Sequence, residues 1–384
     1  MGAFTFYWGR FLMSVSSRKD AYQILNALPR IGWLSLQKLL DFFENDPLAI
    51  FKAKEEDLLA AGLTKTACLN LLQHEQLFNI AKENDALERM GARFISFEDE
   101  GYPALLRTIY DPPIGLYVLG NLLQTINSIA IIGSRYADIY GLQMAEKFSS
   151  ELAERGWSIV SGFARGIDTA AHRGALRVQG ATVAVLGCGI DRIYPPENAD
   201  LYTQIKENGC IISEFPLHVR ADRVTFPRRN RILSGMSQAT LVVESDLKGG
   251  SMLTATFALD QNRQVFAIPG RIDSDMSRGC HQLIRNGATL VTSTEDILED
   301  LDSAPPLELK LDLEPKIRKL QRDTRSNLEG PEAQVYDILK QRGPQSSSDL
   351  CALCKQEPQT MQTILFSLEL NRWIVRRNDG LFEV

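Results

Sequence analysis

Ser161-Gly-Phe-Ala-Arg-Gly-Ile-Asp168 follows a short apolar run, Trp157 to Val160, and precedes a helical pattern, Thr169 to Val178. That order reads as a strand, a glycine-containing turn and a helix start. A helix N-terminus carries unpaired N–H groups and a partial positive charge, so it attracts anions. The turn adds a guanidinium, Arg165, and a hydroxyl, Ser161. The stretch is therefore expected to hold phosphate.

The same alternation extends outward over residues 127–302. Candidate strands are Ile129–Ile132, Ser158–Val160, Thr182–Leu186, Cys210–Ile212, Thr240–Val243, Gln264–Ile268 and Thr289–Val291. Several are continuous Val/Ile/Leu runs, which marks strands buried on both faces. Helical patterns such as Gly141–Ala153 and Ser251–Asp260 lie between them. The expected fold is a doubly wound, mainly parallel α/β sheet.

In an open α/β sheet, ligands bind beyond the carboxyl ends of the strands. The loops expected there are Gly133-Ser-Arg135, the Ser161–Asp168 stretch, Gly187-Cys-Gly189, Glu214-Phe-Pro216 leading to Thr225-Phe-Pro-Arg-Arg-Asn-Arg231, Glu244 through Lys248-Gly-Gly-Ser-Met-Leu-Thr254, and Pro269-Gly-Arg271. Glycine lets a ligand approach the backbone, serine and threonine donate hydrogen bonds, and arginine grips phosphate through two nitrogens. Several such loops on one edge make a polyanion surface; a mononucleotide would need only one.

Standard nucleotide motifs do not fit. Lys248 precedes its glycine pair, so Lys248-Gly-Gly-Ser251 is not a P-loop. Gly187-Cys-Gly-Ile-Asp-Arg192 lacks the third glycine of the dinucleotide fingerprint. No G-x-S-x-G elbow occurs. Asp168, His172, Glu214 and Glu244 are the candidate catalytic groups. The simpler expectation is that Asp168 caps its helix or orients Arg165, that His172 packs beside it, and that the two glutamates fix arginines. No catalytic residue, cofactor or metal site is assigned.

Composition agrees with a soluble globular protein: 44% hydrophobic and 23% charged over 384 residues, enough chain for two to four units. No apolar run reaches the ~18 residues of a membrane helix. The aromatic start, with Phe4, Phe6, Tyr7, Trp8 and Phe11, lacks the order of a signal peptide, so residues 1–20 are read as a tail and the location as cytoplasmic. Cys351 and Cys354 are the one close cysteine pair, spaced to share a helix face and pack into a core. The net charge of −6 hides a bias. Residues 127–294 carry 18 Lys and Arg against 16 Asp and Glu, while the remainder carries 24 against 32. Arg220, Arg223, Arg228, Arg229 and Arg231 fall in one short run, and such a cluster is the footprint of a polyanion site.

The flanks divide by pattern. Residues 21–80 read as helices, with Pro29-Arg-Ile-Gly32 and Leu58-Leu-Ala-Ala-Gly-Leu63 at their turns. They look like a helix-hairpin-helix module, or else a small helical packing domain. Lys38 followed by Asp41, Glu44 and Asp46 gives the module a surface that is not basic. Residues 81–126, with Tyr102-Pro and Asp111-Pro-Pro, are expected to connect and to pack on the core. Residues 303–327 read as a linker containing Lys316, Arg318, Lys319, Arg322 and Arg325. Residues 328–384 give three helical patterns and a hairpin whose turn is Asn378-Asp-Gly380, which looks like a winged helix. Its third helix has no Lys or Arg before Arg372, so major-groove reading is not expected.

An ordered set of motifs resembles the DNA-processing protein A family (DprA, also called Smf). The motifs are Tyr102-Pro, Asp111-Pro-Pro, Ile132-Gly-Ser-Arg135, the Ser161–Asp168 stretch, Phe226-Pro-Arg-Arg-Asn-Arg231, Gly249-Gly-Ser-Met-Leu-Thr-Ala255, Ile268-Pro-Gly270 and Gly279-Cys-His-Gln-Leu-Ile-Arg-Asn-Gly-Ala288. The resemblance implies a Rossmann-like core that binds single-stranded DNA, forms a homodimer and loads RecA recombinase onto incoming DNA in natural transformation. It implies DNA contacts at Gly133, Ser134, Arg135, Ser161, Gly162, Arg165, Gly166, Arg228, Arg229, Asn230, Arg231, Gly250, Ser251 and Thr254, with Asp168 and Glu244 as positioning groups. Arg165 is the leading contact and Asp168 its expected positioner. Phe163, Tyr136 and Phe226 are candidates for base stacking or for buried packing. A nucleotide hydrolase or sensor on a related scaffold is the alternative.

Overall fold

The computed structural model describes residues 15–122, 127–303 and 331–354, and from there on residues 356, 360–361, 364–365, 368, 374–376 and 381–383. The tail before residue 15, the 303–327 linker beyond residue 303 and the Asn378–Gly380 turn therefore lie outside the described residues. The chain divides into two compact units whose boundary falls within 304–330.

The first unit is built on one sheet of nine described strands: β1 Ala92–Ser96, β2 Gly115–Gly120, β3 Ser128–Ile132, β4 Ser158–Ser161, β5 Thr182–Val185, β6 Cys210–Ser213, β7 Ala239–Val242, β8 Gln264–Ala267 and β9 Thr289–Leu290. Their order is β1-β2-β6-β5-β4-β3-β7-β8-β9. From β6 through β9 every neighbour is parallel, whereas β2 joins β6 and β1 joins β2 antiparallel. All seven strands expected in 127–302 are present. The surprise is at the edge. The segment 81–126, expected only to connect and pack, supplies two strands of the sheet itself.

Side chains alternate across this sheet, and both faces are covered. Ile132, Val160, Val183, Val185, Ile212, Val242, Val265 and Ala267 face one core with the helices Thr225–Gly235, Gly250–Asp260 and Arg278–Arg285. Ile129, Ile131, Ile159, Leu241 and Phe266 face the other side, against the helices Ile139–Glu154 and Ile167–Arg177. Further along that second side, Tyr117, Leu119, Ala184, Leu186 and Ile211 share a core with Tyr22, Leu25, Leu36 and Leu58 of the helical front. The N-terminal helices thus belong to the same compact unit as the sheet and close over one end of it. Gly32 is the N-cap residue of the helix Trp33–Phe42, in extended backbone.

The second unit contains the helices Pro331–Arg342 and Ser347–Cys354, helical positions among 360–368, and an antiparallel pair, Val375–Arg376 with Phe382–Glu383. Val335, Leu339, Leu350, Cys354, Leu365 and Phe382 form its core, with Cys351 packed against it.

The chain leaves β3 to build β4, β5 and β6 on one side, then returns to place β7 beside β3 and continues to β8 and β9 on the other. β3 and β7 therefore flank the point where strand order reverses, where the loops diverge and a crevice opens. The crevice requires close helix packing behind it. A Cβ on Gly174 would lie 2.5 Å from the Glu146 carbonyl oxygen and 2.9 Å from the Ser149 Cβ. Alanine in a free helix is worth about 1 kcal/mol over glycine. Here the expected sign is reversed: Gly174→Ala destabilises by about 1–3 kcal/mol. Urea unfolding midpoints test this, and an equal or raised midpoint contradicts it.

Candidate nucleic-acid interface

The crevice holds a cavity of about 450 Å³. Gly133, Ser134 and Arg135 after β3, Asp168 after β4, Arg229 and Asn230 on the helix Thr225–Gly235, and Gly250, Ser251 and Thr254 after β7 all line it. Four segments spread over more than a hundred residues of chain meet there.

The loops lock onto one another through backbone contacts. The Ser134 N–H donates to the Glu244 carbonyl at 2.7 Å, and the Ile167 N–H donates to the Ser134 carbonyl at 3.2 Å. A Cβ on Gly133 would strike Ile167 and the Glu244 carbonyl, and one on Gly166 would strike the Ser134 carbonyl. Gly166 also needs its left-handed φ of 72°. The Glu244 carboxylate, 5% exposed, accepts the Asp138 N–H, and Asp138 caps the helix Ile139–Glu154. Glu244 thus positions the β3 loop rather than an arginine. Burial pushes its carboxyl above the usual range.

The opening stretch is placed differently from expectation. Ser161 is fully buried, and its hydroxyl donates to the Ile131 carbonyl at 2.7 Å, so it faces the sheet and not a ligand. The helix start at Ile167 is already satisfied: its first N–H goes to Ser134, and the Asp168 carboxylate accepts the Ala164 N–H at 3.2 Å. The Ser134 carbonyl thus takes the first position an anion would occupy there. Arg165 is half-exposed and pairs with Glu197 at 2.6 Å, which raises its pKa. Asp168 is therefore not the positioner of Arg165.

Asp168 instead faces a buried cation. Arg229 is 3% exposed, and its Nε and Nη1 have no hydrogen-bond partner. Burial lowers its pKa to about 10, with Asp168 acting against the shift and Arg135 adding to it. At neutral pH it remains a cation. Burial raises the Asp168 pKa, and Arg229 opposes that rise. Gly162 makes the arrangement possible, because a Cβ there would overlap the Arg229 guanidinium and lie 2.6 Å from Asp168 Oδ2. Phe226 completes the surroundings, with the Arg135 guanidinium 4.7 Å from its ring centroid and that of Arg229 6.0 Å away.

The other arginines of the 228–231 run point elsewhere. Arg231 is 9% exposed and held by Glu214 at 2.5 Å and Asp111 at 3.3 Å, which makes it an internal strut. Arg228 is half-exposed, pairs with Glu214 at 3.1 Å and lies over Phe215. Asn230 donates to the Gly250 carbonyl and fixes the next loop. Ser251 shares a hydrogen bond with Ser245 at 2.7 Å, and Thr254 leans on the Gly250 carbonyl. The helix Gly250–Asp260 begins at Gly249 with no side-chain cap, so its N-terminus opens on the cavity.

Among the aromatics, Phe163 is buried, Phe226 half-buried and Tyr136 87% exposed beside Arg135. Tyr140 and Tyr194 are also exposed, and Tyr194 lines a smaller recess with Arg165, Arg135 and Phe226. Tyr194 and Arg223 were missed as site residues from sequence. An aromatic in the loop after β5, and a further arginine in the basic run, were the available signals.

Residues 93–302 match the family model described as DNA recombination-mediator protein A. The chain belongs to the DNA recombination-mediator protein A family. A Synechocystis relative, Protein Smf, is 42% identical over 58% of this chain, and the match spans 57% of that relative's length. The X-ray structure of DNA processing protein A from Streptococcus pneumoniae superposes with a TM-score of 0.65 at 33% identity, covering 74% of this chain and 98% of that one. The Helicobacter pylori DNA processing protein A, whose structure is described for its single-stranded DNA binding mode, gives a TM-score of 0.50 at 31% identity over 55% of this chain and 95% of its own. The family match begins inside β1 and so takes in both edge strands that sequence reading left out.

His172 is set apart from any proton transfer. It is fully buried, and its Nδ1 donates to Thr182 Oγ at 2.7 Å, because that hydroxyl itself donates to the Ile159 carbonyl. Burial, aided by Arg229, lowers its pKa to about 3. The unfolded chain binds a proton near pH 6.5 that the folded chain refuses. Stability is therefore complete above that pH and falls as pH drops toward about 3, by at most about 1.4 kcal/mol per pH unit. We expect His172→Gln to be less stable at pH 7 but to lose less between pH 7 and pH 4. Equal losses in urea titrations of the two proteins contradict this.

Proposed function

We propose that the chain binds single-stranded DNA across the edge formed by the carboxyl ends of β3, β4 and β7, without a chemical step. The carrying observation is the meeting of Arg135, the buried unpaired Arg229 and the open helix N-terminus at Gly250 in one cavity at the strand-order reversal. Phosphate contacts of this kind give affinity without sequence preference. Exposed Tyr136 beside Arg135 offers a π-face for a base. The H. pylori relative, described for single-stranded DNA binding, supports the same class of ligand. Loading of RecA in recombination and natural transformation, dimerisation through the Rossmann-like unit, a winged-helix identity for the second unit and a cytoplasmic location complete the proposal and rest on family resemblance. No helix among the described residues is long and apolar enough to cross a membrane.

The roles within the site form an order. Arg135 is exposed and makes no salt bridge among the described residues, whereas Arg165 is matched by Glu197. Arg135→Ala is expected to weaken oligo-dT binding at least tenfold, ~1.4 kcal/mol, without unfolding. Arg165→Ala is expected to cost less, because Glu197 already offsets its charge. Affinity for oligo-dT should fall steeply with salt. Fluorescence anisotropy at several salt concentrations reads all three; a flat salt response, or normal binding by Arg135→Ala, contradicts the proposal.

A further inference from the structure

We infer that the cavity seats the phosphate monoester of a nucleotide between the N-terminus of the helix Gly250–Asp260 and the guanidinium of Arg229. The inference deepens the single-stranded DNA reading and rests on it for the case of a strand end. The same chemistry occurs on a free mononucleotide.

Two independent observations point to an anion. The helix is eleven residues long and has no side-chain cap; the Met252 N–H turns back to the Gly249 carbonyl, which leaves those of Gly250 and Ser251 for a ligand. Nothing stands within 4 Å of where a Cβ on Gly250 would be, so a ligand can reach the backbone. Arg229 lines the same cavity and is 3% exposed, yet its Nε and Nη1 lack partners. A buried guanidinium with unmade hydrogen bonds is costly, and the group that completes it is an anion.

Charge selects the kind of phosphate. Arg135, Arg223 and Arg229 line the cavity against Asp168 and Asp246. Asp246 already accepts the Lys248 N–H through Oδ1. The surplus of one cation, with about half a charge from the helix end, suits the roughly −1.5 to −2 of a monoester better than the single charge of a diester. The volume of about 450 Å³ lies within the range of small-ligand pockets, on the order of 300–1,000 Å³, and suits one nucleotide. Thr254 and Asn230 both hold the Gly250 carbonyl, which keeps the slot in shape before a ligand arrives.

The test uses the full chain. Isothermal titration compares dTMP with thymidine, and anisotropy compares oligo-dT bearing a 5′-phosphate, a 3′-phosphate or hydroxyl ends. We expect dTMP to bind roughly tenfold or more tightly than thymidine, and one phosphorylated end to be preferred by a similar factor. Gly250→Asp places a carboxylate in the open slot without a clash and should abolish dTMP binding without lowering the melting temperature. Arg229→Lys keeps the charge over Asp168 and should weaken dTMP while retaining the fold. Binding of dTMP without an end preference among oligonucleotides supports the site with a free nucleotide as its source. Equal binding of dTMP and thymidine, or full dTMP binding by Gly250→Asp, overturns the inference. If oligo-dT still binds in that case, the DNA reading stands without it; if dTMP binds and no oligonucleotide does, the DNA reading fails and the monoester site stands.

Discussion

A buried guanidinium without its full set of partners sets the terms for the loops of the sheet edge. Arg229 sits beneath the cavity, and each neighbouring residue choice makes sense against it. Gly162 leaves the space its side chain occupies, and Asp168 supplies the opposing charge. Phe226 lies beneath the Arg135 and Arg229 guanidiniums, and His172 stays neutral in part because a second cation near Arg229 is disfavoured. Burying a charge is costly unless it is paired and hydrogen-bonded. Retaining a buried cation with unmade hydrogen bonds is better explained by what it binds.

The architecture around that charge follows from strand order. β3 and β7 are adjacent in space but separated in sequence by three strands, so their loops part and leave the crevice. Ligand-facing groups come from the backbone and from side chains fixed at both ends. Glu244 ties the β3 loop, Asn230 ties the β7 loop, and Glu214 holds Arg228 and Arg231 away from the cavity. The site is largely preformed, which lowers the ordering cost of binding a flexible polyanion.

Much of this was legible in the sequence. The parallel strands are buried on both faces, so they appear as unbroken apolar runs, and the glycine-rich loops after them stand out. β1 and β2 were not legible, because Tyr102-Pro and Asp111-Pro-Pro between and beside them carry strong turn signals. Within Arg228-Arg-Asn-Arg231, sequence supplies the charges but not the helical phase. That phase sends Arg229 under the cavity and Arg231 to Glu214. Asp168 was paired with Arg165 because they are near in sequence, whereas the true partner, Glu197, comes from the loop after β5. The expected anion cup at Ile167 is closed for the same kind of reason: its occupant, the Ser134 carbonyl, arrives from another loop.

The central claim is that Arg229 is a cation completed by a ligand's phosphate. Asp168→Asn removes the protein's own counter-charge while keeping nearly the same shape. Urea unfolding of this variant and the parent, each with and without saturating oligo-dT, measures the claim directly. The account predicts that the variant alone is less stable, and that oligo-dT stabilises it more than it stabilises the parent. An equal or smaller gain in the variant would contradict the assignment of Arg229 to the ligand.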